Sequence, residues 1–132
     1  PYPGIVAMLK ALAASRAALA ILSNKPDDAV RDATAHFLPD VPFAAVRGAR
    51  ADTPLKPDPA AALDIAKQLA CPPGHILFAG DTKTDMQTAR AAGMIAVGVL
   101  WGFRDLHELR QHGAHHIIAH PSELTNIAAA RR

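Results

Sequence analysis

Apolar positions Ile5, Met8, Leu9 and Leu12 recur at the i, i+3, i+4, i+7 spacing of one helix face. The alanine-heavy stretch 7–20 keeps that spacing at its start. Residues 17–22 then form a short apolar run ending at Ser23-Asn24, the pattern of a buried parallel strand. Lys25-Pro26-Asp27-Asp28 sets a proline early in a helix and acids in its first turn, which predicts a helix running to about 37. Leu38-Pro39-Asp40 breaks it. A second strand is predicted over 42–47, and a polar, proline-containing loop over 48–57. Asp58-Pro59 reads as an N-cap and first helical position, opening a helix to about 70. Cys71-Pro72-Pro73-Gly74 is a turn, and 75–79 a third strand. The helix after it ends at Gly93. A fourth strand over 95–100, a short helix near 105–112, a strand near 115–118 and a helix from Pro121 complete the chain.

Strands alternating with helices predict an α/β protein, a Rossmann-like three-layer sandwich with a mainly parallel sheet and helices on both faces. Such sheets bind ligands outside the carboxyl ends of their strands. Ser23-Asn24, Lys56, the pair Asp81 and Asp85, and Trp101-Gly102 all sit at those ends.

The 132 residues are half hydrophobic and one-fifth charged, enough for one domain over 1–132 with a genuine core. A formal charge of +2, with no basic run beyond Arg131-Arg132, gives no pointer to nucleic acid. No apolar run approaches the roughly 18–20 residues of a membrane span. The start, PYPGIVAMLK, lacks the layout of a signal peptide. It opens on Pro1 and not on methionine, as expected of a piece of a longer chain. The lone Cys71 can make no internal disulfide, which fits a reducing cytoplasm.

The candidate chemistry centres on LFAGDTKTD, 77–85. Asp81 stands where a buried strand stops, and Asp85 stands in the first turn of the next helix. Two neighbouring carboxylates repel unless a cation joins them, and hard oxygen ligands suit Mg²⁺. The same positions also suit a cap at Asp81 and a dipole-serving acid at Asp85. Ser23 with Asn24 offers a hydroxyl and successive backbone N–H groups for phosphate oxygens, or a plain N-cap. Lys56, held beside Pro57, is a compact charge suited to phosphate, or a solvated loop lysine. His115, His116 and His120 read as surface or edge-strand histidines, because neighbours on a strand face opposite ways. Cys71 reads as a structural thiol. Trp101-Gly102-Phe103 reads either as local packing or as part of a site mouth.

Taken in order, these residues resemble the haloacid-dehalogenase-like (HAD) superfamily, most closely its phosphoglycolate phosphatase-like branch. The matching words are PYPGI at 1–5, LAILSNKP at 19–26, LKPDPAAAL at 55–63, LFAGDTKTD at 77–85, ARAAGMIAVGVLWGF at 89–103 and HPSEL at 120–124. The resemblance implies a HAD-like core and a Mg²⁺-dependent phosphatase of small phosphorylated metabolites such as 2-phosphoglycolate. It implies catalytic roles for Ser23, Lys56 and Asp81. Ser23, Asn24 and Lys56 would contact substrate, and Asp81 and Asp85 would hold Mg²⁺. The runners-up are another capped relative, a sugar-phosphate mutase or a dehalogenase, and a non-catalytic phosphate-binding or interaction protein.

The family's first motif, a strand ending in Asp-x-Asp that supplies the nucleophile, has no match. Asp27-Asp28, Asp32 and Asp40 lie in helix or turn patterns, and none precedes Ser23. The resemblance therefore implies an incomplete core without nucleophile strand or cap, inactive by itself. In the family that strand lies between those at 17–23 and 75–79. These two are expected to pair directly, or to be completed by a missing N-terminal segment or another chain, and the 132 residues alone to be less stable than their core size suggests.

Overall fold

The computed structural model describes residues 2–102 and 105–131. Pro1, which opens the PYPGI word, and Phe103, of the Trp101-Gly102-Phe103 loop, lie outside the described residues.

Gly4, at φ 90°, turns the chain into α1 (Ile5–Ala14), whose apolar stripe buries Met8 and Leu12. β1 (Leu19–Pro26) extends four residues beyond the predicted strand. α2 (Asp27–Phe37) follows with Asp27 and Asp28 in its first turn, as the Pro-Asp-Asp pattern predicts. After β2 (Phe43–Ala49), the loop 50–59 leads to α3 (Ala60–Gln68). Pro59 occupies the N-cap position expected of Asp58, and Asp58 caps from one residue back, its Oδ1 accepting the Ala60 N–H at 2.9 Å. A 3₁₀ turn (Pro73–His75) takes the start of the predicted third strand, leaving β3 as Leu77–Gly80. α4 (Lys83–Ala91) stops at Gly93, whose φ of 73° ends the helix without strain. β4 (Ile95–Val99), α5 (Leu106–Gln111), β5 (His116–Ile118) and α6 (Ser122–Ala130) complete the order.

Every strand pair described is parallel. Helices cover both faces, and the period of two along β4 sorts its side chains between them. Val97 and Val99 pack with Met8 and Leu12 of α1 and Leu124 of α6. Ala96 packs instead with Ala62 of α3, Met86 and Ala89 of α4 and Leu109 of α5. Burying a large side chain such as Leu109 or Met86 completely contributes about 1.5–3 kcal/mol. The fold is thus the predicted α/β arrangement, with apolar layers on both sides of the strands.

The strands form two sheets, β1-β2 and β3-β4-β5. β1 and β3 do not pair directly, so that half of the expectation is not met. Each ends its sheet. Between them runs an apolar groove of about 540 Å³ lined by Met8, Leu12, Leu19, Phe43, Leu77 and Leu124. A smaller one of about 140 Å³ continues it past Leu22, Ala62, Phe78 and Met94. Ala20 of β1 and Ala79 of β3 are exposed, whereas Ala96 of β4 is fully buried.

Candidate active site

Where β1 passes β2, register shifts twice, first between Leu19 and Ala20 and again after Leu22. Leu22 pairs with Arg47 and Pro26 with Ala49, so the stretch Ser23-Asn24-Lys25 bulges out of the ladder. Ser23 and Asn24 therefore lie within β1, not at a helix N-terminus as the sequence suggested, because α2 begins only at Asp27. Ser23 Oγ accepts the Lys25 N–H at 3.2 Å. The bulge turns Asn24 toward the loop 50–59. There its Nδ2 donates to the Lys56 carbonyl at 3.2 Å, and the Lys56 N–H donates to its Oδ1 at 3.0 Å.

The same loop is fastened from beneath by Arg47, a buried β2 residue. Its Nη2 donates to Thr53 Oγ1 at 2.6 Å and its Nη1 to Asp64 Oδ2 of α3 at 3.1 Å, while Nε is buried without a partner. Asp27 secures the far end of β2, its Oδ1 accepting the Gly48 N–H at 2.8 Å. That bond, followed by the one from Arg31 Nε at 2.9 Å, lowers the Asp27 carboxyl from 3.8 to about 2.

So held, Lys56 sends Nζ to Asp85 Oδ1 at 2.7 Å, with both side chains largely withdrawn from water. Asp85 Oδ2 also accepts from the Asp81 main-chain N–H at 3.2 Å and the Thr82 hydroxyl at 3.1 Å. The helix cap is Thr82, whose Oγ1 accepts the Asp85 N–H at 3.2 Å, not Asp81. Thr82-x-x-Asp85 has the spacing of a capping box, a local signal that reading Asp81 as the cap overlooks. Asp81 is left to its side-chain environment. A Cβ on Gly80 would overlap the Asp85 side chain, and one on Gly102 would overlap that of Asp81. Both acids thus lie against bare backbone that only glycine provides. Trp101, next to Gly102, stacks on Tyr2 with ring centroids 5.8 Å apart.

The structure therefore brings Asn24, Lys56, Asp85 and Asp81 into one contiguous chain of contacts, with Ser23 beside Asn24 and Lys56 around one small cleft. This chain ties the carboxyl end of β1 to the carboxyl end of β3. A carboxylate paired with an ammonium, with a second acid four residues away at the same strand end, is the kind of set that a hard cation and a phosphoryl group use, the cation completing its shell with water and ligand oxygens. Among the described residues, no group of three or more acids, histidines or cysteines is arranged for a metal. Asp81 and Asp85 are the residues here that could hold a cation such as Mg²⁺, which uses one or two carboxylates and needs no all-protein cage. Arg47, Thr82 and Tyr2 are not singled out as site residues by their local sequence, whereas Gly102 falls in the loop read as a possible site mouth.

The histidines lie elsewhere. His115 Nδ1 accepts the Ala96 N–H at 2.8 Å, and its Nε2 lies 2.6 Å from Arg90 Nη1. Desolvation, then the charge of Arg90, lowers its pKa from 6.5. Cys71 Sγ contacts the Pro72 carbonyl at 3.7 Å and lines the larger groove. Among the described residues, no helix is long and apolar enough to cross a membrane.

A family model described as haloacid dehalogenase-like hydrolase matches residues 1–99. Over 102 residues, 77% of the chain, it is 32% identical to the phosphoglycolate phosphatase of Haemophilus influenzae strain 86-028NP and covers 46% of that protein. It is 33% identical over the same share to that of Pseudomonas fluorescens strain Pf0-1, covering 38%. The chain thus spans less than half the length of these curated relatives. Among solved structures, a Lactobacillus delbrueckii subsp. bulgaricus protein assigned as a phosphoglycolate phosphatase superposes with a TM-score of 0.91 at 33% identity, over 97% of this chain and 53% of that one. A hydrolase from Pseudomonas syringae superposes at 0.81 with 30% identity, over 97% and 58%.

Proposed function

The chain belongs to the haloacid dehalogenase-like hydrolase family, and from that premise we propose that it is the core of a Mg²⁺-dependent phosphatase of small phosphorylated metabolites, with 2-phosphoglycolate the first substrate to test. The observation that supports this most directly is the Lys56–Asp85 ion pair, 2.7 Å long, beside Asp81 and next to Ser23 on the rim where both sheets end. Phosphoryl transfer needs positive charge against the equatorial phosphoryl oxygens, and this rim supplies or recruits it. Lys56 neutralises those oxygens directly, and the Ser23 hydroxyl donates to one of them. Asp81 and Asp85 would hold Mg²⁺, which when bound adds charge neutralisation at the same oxygens.

In this reading the attacking aspartate lies outside these 132 residues. It adds to phosphorus as the alcohol departs with a proton from a second aspartate, and water then hydrolyses the aspartyl phosphate. The strand carrying it would occupy the groove between β1 and β3 and pair with both edges, so the 132 residues alone turn over nothing. The enzyme works in the cytoplasm, where the lone Cys71 stays reduced.

The test is phosphate release from 2-phosphoglycolate by a longer protein joining these residues to a nucleophile strand and cap. Activity should need Mg²⁺, and Asp81→Asn should lose most of it. Near-normal activity in that variant would end the metal assignment. Turnover that survives a chelator would favour dehalogenase-type chemistry, and phosphate binding without turnover a non-catalytic role.

A further inference from the structure

We propose that Asn24 is a positioning residue, one that sets where the Lys56 ammonium sits by gripping the lysine's main chain and not by touching a ligand. This rests on the reading of Lys56 as the cation that meets phosphate. Asn24 is solvent-exposed, and an exposed asparagine beside a serine at a strand end would ordinarily be taken for a ligand contact. Its amide is already committed. Nδ2 donates to the Lys56 carbonyl at 3.2 Å and Oδ1 accepts the Lys56 N–H at 3.0 Å. A side-chain amide donates and accepts from neighbouring atoms of one planar group, as a peptide bond does, so it imitates a strand neighbour for a single residue of a loop.

That neighbour is needed because the loop has little else. Leu55 is half exposed, and Asp52, Pro54, Pro57 and Asp58 are exposed too. Arg47 fixes the loop at Thr53, and Asn24 fixes it at Lys56, leaving only Pro54 and Leu55 between the two anchors. The bulge at Ser23-Asn24-Lys25 gives Asn24 its reach, since a residue in regular ladder register would direct its side chain to a sheet face. From a main chain held at this point, the lysine side chain spans the gap between the sheets to Asp85 at 2.7 Å.

The experiment is a double-mutant cycle in the full 132-residue chain, using Asn24→Ala, Lys56→Ala and the double variant. The probe is inorganic orthophosphate, followed by NMR titration, alongside amide hydrogen exchange at residue 56. Losing both bonds should speed exchange of the Lys56 amide and weaken orthophosphate binding by about tenfold, the scale of one or two modest hydrogen bonds. Because Asn24 is exposed, the melting temperature should stay almost unchanged. In the Lys56→Ala background, Asn24→Ala should weaken orthophosphate no further, because its influence runs through the lysine. An equal loss in both backgrounds would mean that Asn24 meets the anion itself and would overturn the proposal. Unchanged exchange at Lys56 would overturn it as well. If the unaltered 132 residues bind no orthophosphate, the phosphatase reading, which concerns the completed core, stands or falls on the turnover test instead. The exchange comparison then decides the clamp, with faster exchange supporting it and unchanged exchange refuting it.

Discussion

Replacing Lys56 with methionine keeps most of the side chain's length and removes its charge. Asp85 then loses its counterion in a place where its side chain is only 10% exposed. Breaking a buried ion pair from one side costs about 3–5 kcal/mol, because the remaining charge has lost its counterion without regaining water. Asp85 keeps the Asp81 N–H and the Thr82 hydroxyl, so the lower end, about 3 kcal/mol, applies. For a chain of this length that corresponds to a drop in Tm of about 10 °C. Urea unfolding followed by circular dichroism measures it, with an unchanged denaturant slope showing that both variants unfold to the same degree. Adding Asp85→Asn to Lys56→Met should recover about 2 kcal/mol, since a neutral amide no longer needs the cation. A Lys56→Met loss under about 0.5 kcal/mol would be the behaviour of a solvated surface pair. Together with additive single variants, it would refute the picture of a buried bridge between the two sheets.

The Asp27 carboxyl is held at about 2, below its ordinary 3.8, first by the Gly48 N–H and then by Arg31. Its contribution to stability is complete above the ordinary value and disappears as pH falls from about 4 through about 2. Urea midpoints taken stepwise across that window should decline, and Asp27→Asn should flatten the decline. His115 also loses stability on acidification, though here the fold favours the neutral ring. Its lowered pKa means that the unfolded chain takes up the proton first, so stability falls as pH drops below about 6.5 and levels off below the folded value. An NMR titration should place the His115 ring below the ordinary 6.5. Gly102→Ala should push the Asp81 side chain aside and weaken Mg²⁺ binding about tenfold by titration calorimetry. Gly74→Ala, with nothing within 4 Å, should leave that binding unchanged. Backbone amides on the open edges of β1 and β3 should exchange faster than those of β4, which is paired on both sides. Equal protection would contradict an open groove.

Much of the architecture is encoded locally. The stripe of Ile5, Met8, Leu9 and Leu12 makes α1 because helical side chains three and four apart share a face whatever surrounds them. Pro26-Asp27-Asp28 starts α2 and Gly93 ends α4 for reasons confined to one turn of backbone. Even the location of the site follows from order alone, since alternating strands and helices make parallel strands whose carboxyl ends share a rim. Boundaries were less legible. β1 continues past the bulge at Ser23-Asn24-Lys25 because Pro26 pairs again with Ala49 of β2, a partner that no local pattern reveals. The 3₁₀ turn at Pro73 shortens β3 by similar competition.

By itself, then, the sequence determined the α/β class, the succession of elements and the set of polar residues at one rim, since periodicity and caps act over a few residues. Folding alone decided how those residues divide the work. Asn24 grips a main chain 32 positions away, Lys56 meets Asp85 across 29, and Arg47 lies buried under the loop that carries the lysine. Each depends on packing between distant segments, where the cost of withdrawing a charge from water is settled by partners that only the assembled molecule brings near.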